Sequence, residues 1–435
     1  MARTKKTARF TGAPRKNIVI KPPQTFPIVA EPSSTPSRVE PTIICRGDHT
    51  ICISKDGSVY SFGYNRDGAM GHELNRRDYK GILPKKIPSL TNIMAIACGR
   101  DFTMCLDMNG TLFTFGVNDE GQLGIGKDKA TFPSTHEPQK VDICPIRQIS
   151  CGRDFAMCLS EDNEVYSFGE GELGHGDLTH CLSPKKIENL KDVEFVDTRN
   201  QSSFAKTFNN EIFCWGSNGA GQLGLGNTES QSVPFNCTST WPDNVVDIKC
   251  GFFHTLALTS DSLVYSCGSN EIGQIGRDCD DDEMEQYLSD DGVYYLPDEE
   301  YSFTMKKIDE LSSITRIECG IQFSICIDSK GSLFVFGSNE NGSLGLDDDD
   351  TRRKPVQSRY ISGIIDISSP ANHTIARTST NMIEGWGENE SCQLGVETEL
   401  ESYHFSPIQV LLGSEDIWGS NMIKPKAKSA RSILP

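Results

Sequence analysis

Apolar residues in this chain come in short runs cut off by glycine, asparagine or aspartate. Ile93 to Cys98 is one such run and stops at Gly99; Phe102 to Leu106 comes next, and Met108-Asn109-Gly110 ends it. Thr111 to Gly116 is the third run, Gly121-Gln122-Leu123-Gly124 a compact corner, and a fourth run leads into Val141 and Ile143. Runs this short, rich in β-formers and bounded by turn residues, predict strands, because an amphipathic helix needs a longer stretch with 3.6 periodicity. Met108-Asn109-Gly110 predicts a hairpin turn, since Asn-Gly allows the positive φ that tight hairpins demand. Lys55-Asp56-Gly57 and Ser329-Lys330-Gly331 stand at matching places.

The four-strand pattern returns seven times, marked by Phe62-Gly63, Phe115-Gly116, Phe168-Gly169, Trp215-Gly216, Cys267-Gly268, Phe336-Gly337 and Trp386-Gly387. The repeats cover about 43–90, 93–143, 146–190, 193–240, 245–311, 314–361 and 364–419. This period predicts an all-β protein, a seven-bladed β-propeller of four-stranded blades over residues 43–422, with disordered basic tails at 1–42 and 423–435. An open solenoid is the rival, but no repeat has the polar face of a cap, which favours a closed ring. A partial extra copy, Asp416-Ile417-Trp418-Gly419, is expected to help close it against the first blade.

The repeat turns most candidate chemistry into framework. Cys45, Cys98, Cys151, Cys250 and Cys319 share one place in it, and Cys52, Cys105, Cys158 and Cys326 another seven residues on. That spacing is expected of small apolar residues packed in successive strands. Without a Cys-x-x-Cys pair a metal site is not expected, and a reducing compartment fits best. His49, His254 and His373 share a third place, where a structural hydrogen bond is expected. Gly121 to Lys127 imitates a phosphate loop, but Asp128 stands where Ser or Thr is required. No hydrolase or transferase grouping is visible, and no cofactor or small-molecule substrate is expected. No apolar run reaches the length of a membrane span, and no secretory signal is visible at the start.

The net charge of −18 conceals three regions. Residues 1–42 hold eight Lys/Arg against Glu31 and Glu40, and residues 423–435 hold four bases and no acid, so the body between carries −28. The fifth repeat has an insertion, residues 277–303, with eleven acids and Arg277 alone as a base; it includes Asp280, Asp281, Asp282 and Glu283. The sixth places Asp347, Asp348, Asp349 and Asp350 after the equivalent corner. Equivalent loops of adjacent blades share a face, so two acidic loops are expected side by side, as a dock for a basic partner or as solvated loops.

The string Cys-Gly-x-x-His/Phe-Thr, continued by Gly-x-Val-Tyr-x-Phe-Gly-x-Asn-x-x-Gly-Gln-Leu-Gly, resembles the repeat of the regulator of chromosome condensation family. It is carried here by His49-Thr50, His254-Thr255, His373-Thr374, Gly121 to Gly124 and Gly221 to Gly224. The family includes the exchange factor for the Ran GTPase, other regulators and scaffolds. The resemblance implies a seven-bladed propeller and protein partners. For an exchange factor it also implies face carboxylates, here Asp48, Asp101 and Asp154, and a wedge, for which no extension is visible between Tyr64 and Gly71 or Val117 and Gly124. Exchange would work by differential binding of the nucleotide-free GTPase.

The start of the chain, Ala2-Arg3-Thr4-Lys5-Lys6-Thr7-Ala8-Arg9, resembles the tail of the third core histone, Ala-Arg-Thr-Lys-Gln-Thr-Ala-Arg. Thr11 to Lys16, with Arg15 and Lys16, resembles a shortened form of the next stretch of that tail. The resemblance implies a nuclear, chromatin-associated protein whose Ala2 amine and Lys5 engage histone readers or modifying enzymes. A basic arm on nucleic-acid phosphates needs only the charge. Cytoplasm is the alternative location, and a non-catalytic scaffold or adaptor the alternative function.

Overall fold

Among the described residues, twenty-eight strands form seven antiparallel sheets, each of four strands consecutive in sequence. Blade 1 runs from β1 (Thr42–Arg46) to β4 (Ile82–Lys86), blade 2 from β5 (Ile93–Cys98) to β8 (Ser134–Lys140), and blade 3 from β9 (Ile146–Cys151) to β12 (Cys181–Lys186). Blade 4 runs from β13 (Val193–Arg199) to β16 (Gln231–Asn236), and blade 5 from β17 (Val245–Cys250) to β20 (Tyr301–Lys307). Blade 6 spans β21 (Ile314–Cys319) to β24 (Arg352–Ser362), and blade 7 spans β25 (Ile364–Ser368) to β28 (Tyr403–Gln409). The structure, a computed structural model, describes residues 42–46, 49–54, 56–73, 82–177, 180–279, 301–369, 371–396 and 402–410. The first strands of blades 1 to 6 pack side by side in order, Arg316 of β21 binds Asp366 of β25, and β25 meets β1. The chain is a closed seven-bladed β-propeller.

The repeated phrase is the device that joins the blades. The last glycine of each corner adopts the left-handed region and lies on the aromatic-glycine strand of the following blade. A Cβ on Gly124 would sit 2.7 Å from the Phe168 ring at φ +65. Gly174 lies on Trp215 and Gly345 on Trp386 in the same way, and Gly395 of blade 7 lies on Phe62 of blade 1. In blades 1, 2, 5 and 6 the hydroxyl after the His/Phe position binds the preceding corner, while blade 3 has Ala156 at that position. Thr103 donates to the Ala69 carbonyl at 2.8 Å, Thr255 to Gln222 at 2.7 Å and Thr50 to Gln393 at 2.7 Å, the last across the seam. The three histidines make the structural bonds the sequence predicts: His254 Nε2 lies 2.9 Å from Ser324 Oγ, His373 Nε2 3.1 Å from Thr50 Oγ1, and His49 Nε2 3.3 Å from Thr103 Oγ1. Cys52, Phe62, Ile375, Leu394 and Val410 form one apolar cluster across the same seam. Asp416 to Gly419 lie outside the described residues.

A buried asparagine holds six of the seven corners. The Asn118 carbonyl oxygen accepts from Leu123 N at 3.1 Å while its amide donates to Lys127 O at 2.9 Å; Asn218 does the same with Leu223 N and Asn227 O. Asn65, Asn270, Asn339 and Asn389 repeat the arrangement. Blade 3 has lost the residue with its shortened corner, Gly169 to Gly174. Asn218→Ala is expected to cost about 2 kcal/mol, because it leaves a buried amide N–H and carbonyl unpaired; the urea midpoint measures it, and an unchanged midpoint would deny the staple its role.

One strand end differs from the sequence-based expectation, and the hairpins carry the positive φ that the sequence predicts. Each has a single left-handed residue, Gly57, Gly110, Asn163, Asn210, Ser262, Gly331 or Asn381, and the loop closes through Gly110 N to Asp107 O at 3.1 Å, with Asp107 N to Thr111 O at 3.0 Å beneath it. One αL position relieves the turn, so Asn or Ser serves as well as Gly. Strand β8 ends at Lys140, and Val141 begins the connection to blade 3. The cysteines are core residues: burial pushes the Cys52 thiol up to about 12, and those of Cys105, Cys158 and Cys326 up as well.

Candidate functional site

Antiparallel order puts the loop between first and second strands, and that between third and fourth, at one end of the ring. Asp101, Asp154, Asp347 to Asp350 and the described flanks of the fifth-blade insertion are all at this end. Asp48, Asp280 to Glu283 and the tail residues Ala2, Arg3, Thr4, Lys5, Arg9, Arg15 and Lys16 lie outside the described residues.

The inner rim at this end is stitched by backbone bonds: Arg100 N to Arg153 O at 3.0 Å, Arg153 N to Asn200 O at 2.8 Å, and Phe252 N to Ile321 O at 3.3 Å. Asp101 and Asp154 are the acceptors of a chain of ion pairs. Arg100 reaches Asp101 at 3.2 Å and Asp154 at 3.2 Å, and Arg153 reaches Asp154 at 3.4 Å. The guanidinium side chains are 48% and 47% exposed and the carboxylates 17% and 21%, so the rim of blades 2 and 3 shows cations outward. Across the mouth, blade 5 carries Phe252 and Phe253 where those blades carry Arg-Asp. Their rings meet edge to face at 6.3 Å, and Phe253 is 45% exposed. Half-buried Ile321 continues the apolar arc on blade 6. The signal for this pair was legible as a departure at an aligned position, Phe252-Phe253 against Arg100-Asp101, but needed the loops' common position to be read as a surface.

Beneath the rim, the inner strands of blades 4 to 7 carry a chain of charges. Lys249 binds Asp247 at 3.0 Å and lies 3.7 Å from Asp197. Arg199 spans from blade 4 to blade 6, donating to the Cys319 carbonyl and approaching Glu318 at 3.9 Å. Arg316 binds Asp366 at 2.6 Å. Burial pushes the Glu318 carboxyl up to about 7, against the pull of Lys249 and Arg199, and raises Asp247. Burial also works against the charge of Lys249, but Asp247, Asp197 and Glu318 outweigh it and raise its pKa. At the matching positions, blades 2 and 3 have Ala95, Ala97, Gln148 and Ser150 instead. Gln148 and Ser150 bond to the backbone of β13.

The acidic run of blade 6 is interleaved with cations from β24. Arg352 binds Asp348 at 2.6 Å, Arg353 donates to the Glu271 carbonyl of blade 5 at 2.9 Å, and Lys354 reaches Asp278 at 2.8 Å. The flanks of the two acidic loops are therefore tied together by basic residues. Asp347, Asp349 and Asp350 are exposed, whereas half-buried Asp348 also accepts from Asn339. In the phosphate-loop imitation, Lys127 lies over the Phe132 ring at 4.2 Å and Asp128 caps Thr131 at 3.0 Å, so both are engaged within the corner.

The shortened corner of blade 3 brings Glu170 near Glu120 of blade 2 and His180, with ligand atoms within 4.8 Å of one another. His180 Nδ1 is 3.1 Å from Glu120 and Nε2 3.7 Å from Glu170, so the imidazole bridges the two carboxylates across the blade boundary. The trio is partly exposed and explained by that bridge. Glu172 stands where four corners have a glutamine, whose carbonyl accepts a corner N–H. Its Oε2 is buried without a hydrogen bond, and burial raises its pKa.

A family profile described as the RCC1-like domain matches residues 16–359. Human E3 ubiquitin-protein ligase HERC2 is 29% identical over 361 residues, covering 80% of this chain but 7% of that protein. The ultraviolet-B receptor UVR8 of Arabidopsis thaliana is 27% identical over 382 residues, 85% of this chain and 81% of the receptor. Among solved structures, Prp20p of Saccharomyces cerevisiae, described with its binding to Gsp1p and histones, superposes with a TM-score of 0.66 at 22% identity, over 77% of this chain and 81% of that one. Human WBSCR16 gives 0.64 at 22% identity, over 77% and 85%. These two likenesses concern the fold.

Proposed function

We propose, because this chain belongs to the RCC1-like domain family, that it is a protein-interaction propeller acting in the nucleus as a chromatin-associated regulator, with a small GTPase of the Ran kind at the stitched mouth. The observation that carries this reading is the recurrence of Asp101 and Asp154 in identical Cys-Gly-Arg-Asp-Phe loops on consecutive blades, at the end where the irregular loops also emerge. Prp20p, similar in fold, is described with binding to Gsp1p and histones, which supports the choice of partner class. Exchange would require the mouth to bind the nucleotide-free GTPase more tightly than the loaded form.

The test is release of a fluorescent guanine nucleotide from Ran and a panel of other small GTPases. Acceleration is expected for one of them, reduced about tenfold by Asp154→Ala, a loss of about 1.4 kcal/mol in transition-state stabilisation. Asp101→Ala is expected to do less, because Asp154 binds Arg100 and Arg153 together and so holds both guanidinium groups of the rim. No acceleration with any GTPase would overturn exchange.

A second reading rests on the start of the chain. Seven of its first eight residues after Met1 agree with the histone tail in register, which favours an adaptor that recruits histone readers or modifying enzymes. A peptide of residues 2–17 is then expected to bind such readers and to lose binding when the Ala2 amine is acetylated.

A further inference from the structure

We infer that the mouth recognises a protein segment with carboxylates beside an aromatic or aliphatic side chain, flanked by basic residues. The inference rests on the reading that this end of the ring is the partner-binding end, and it specifies the partner's chemistry. Asp101 and Asp154 lie beneath the guanidinium groups they bind, so the polar half of the mouth meets a partner as Arg100 and Arg153, not as carboxylates. The ion pairs hold Arg100 through Nε and Nη2 and Arg153 through Nε while both side chains stay about half exposed, the preorganised state in which arginine binds carboxylates with least entropy loss. The other half is Phe253, 45% exposed and braced edge to face by Phe252, with Ile321 alongside. Arginine and aromatic side chains held on a stitched frame are the make-up of binding hot spots.

The surroundings select among anions. Around the mouth the outer loops carry Glu170, Glu271, Glu340, Asp349 and Glu390, with Lys129 and Lys354 paired among the acids there, and the whole chain carries −18. A nucleic acid, negative along its length, would meet that ring wherever it extended beyond two arginines. A short segment whose acids are central and whose bases are peripheral matches both zones.

The probe is a fluorescent peptide with Glu-Leu-Phe-Glu between lysine flanks, compared with its Gln-Leu-Phe-Gln twin and with single-stranded DNA, by anisotropy on the full chain. The glutamate peptide is expected to bind about tenfold tighter than its twin, a difference of about 1.4 kcal/mol. Arg100→Glu/Arg153→Glu is expected to reverse that order, and Phe253→Ser to weaken both peptides about fivefold. Arg153→Gln, which adds no charge, should abolish part of the preference, and an unchanged melting temperature for each variant separates recognition from folding. Equal binding of the two peptides, no binding, tighter binding of DNA, or a preference untouched by the arginine changes would each overturn the inference. A GTPase whose nucleotide release is accelerated while the peptide preference is absent would leave the proposed function standing and remove this inference alone.

Discussion

Ser202→Phe is expected to destabilise the propeller by about 3 kcal/mol, and adding Arg199→Gly is expected to recover most of that loss. Chemical denaturation of the two single variants and the double variant measures the coupling. In blades 2, 3, 5 and 6 the residue after the inner strand is glycine, and the residue three places later is Phe102, Phe155, His254 or Phe323. The ring of that residue folds back over the glycine: a Cβ on Gly99, Gly152, Gly251 or Gly320 would overlap it. Blade 4 has changed both partners. Arg199 takes the glycine's place and buried Ser202 the ring's, its hydroxyl donating to the Ser217 carbonyl at 2.9 Å. Restoring the ring alone forces it against the Arg199 side chain, and overpacking a filled site costs about 1–3 kcal/mol. Restoring both recreates the arrangement of the other blades, at the expense of the bonds from Arg199 to blade 6. A coupling of at least about 1 kcal/mol is expected for groups in contact; simple additivity would show that the exchange of glycine and ring for arginine and serine is accidental.

This pair shows what the sequence made legible and what it did not. The loss of Cys-Gly in blade 4 is visible as Asp197-Thr198-Arg199-Asn200, and the absence of His or Phe at Ser202 is visible beside it. That the two are one event requires the ring to fold back on the glycine, a contact between residues three apart in a loop. The propeller itself was readable because most of the seven copies repeat the corner glycines, the aromatic one blade on and the Thr or Ser that binds across. Each has a fixed partner in the next blade, and that regularity also identified His254 and His373 as framework. The mouth was half readable. Alignment placed Asp101 and Asp154 on one face, but not the arginines' hold on them, because whether a neighbouring side chain turns inward or outward is decided by packing between blades. Phe252-Phe253 broke no repeat rule strongly enough to stand out. The acidic run looked free for the opposite reason: the cations that answer it, Arg352 to Lys354, come directly after it in sequence, yet two of them reach across to blade 5.

Acid is expected to unfold the propeller through two histidines. His254 and His373 are fully buried, and burial lowers both to about 3, with Arg199 adding to the effect at His254 and His49 at His373. The unfolded chain binds a proton at each near the ordinary value of about 6.5. A folded pKa below the unfolded one means that the unfolded state binds more protons throughout the interval, so stability falls as pH drops from about 6.5 toward 3. By about pH 4 each histidine is expected to have removed on the order of 3 kcal/mol, a large share of the stability of an ordinary domain. Glu318, raised to about 7, works in the opposite direction. It keeps its proton in the fold while the unfolded carboxyl gives it up above about 4.5, so its contribution is full below about 4.5 and is lost as pH rises through about 7. Two histidines against one glutamate leave a net loss toward acid below about pH 6.5, steeper below about 4.5. His373→Asn is expected to flatten the acid limb of stability against pH and to lower stability at about pH 7.5 by weakening the bond to Thr50 at the seam between blades 7 and 1. Glu318→Gln is expected to keep the acid limb and to steepen the rise of stability between about pH 5 and 7, because the opposing contribution of Glu318 is gone. Denaturant midpoints for the wild type, His254→Gln, His373→Asn and Glu318→Gln across about pH 4 to 8 measure these contributions; an acid limb that keeps its slope in both His254→Gln and His373→Asn would place the acid sensitivity elsewhere.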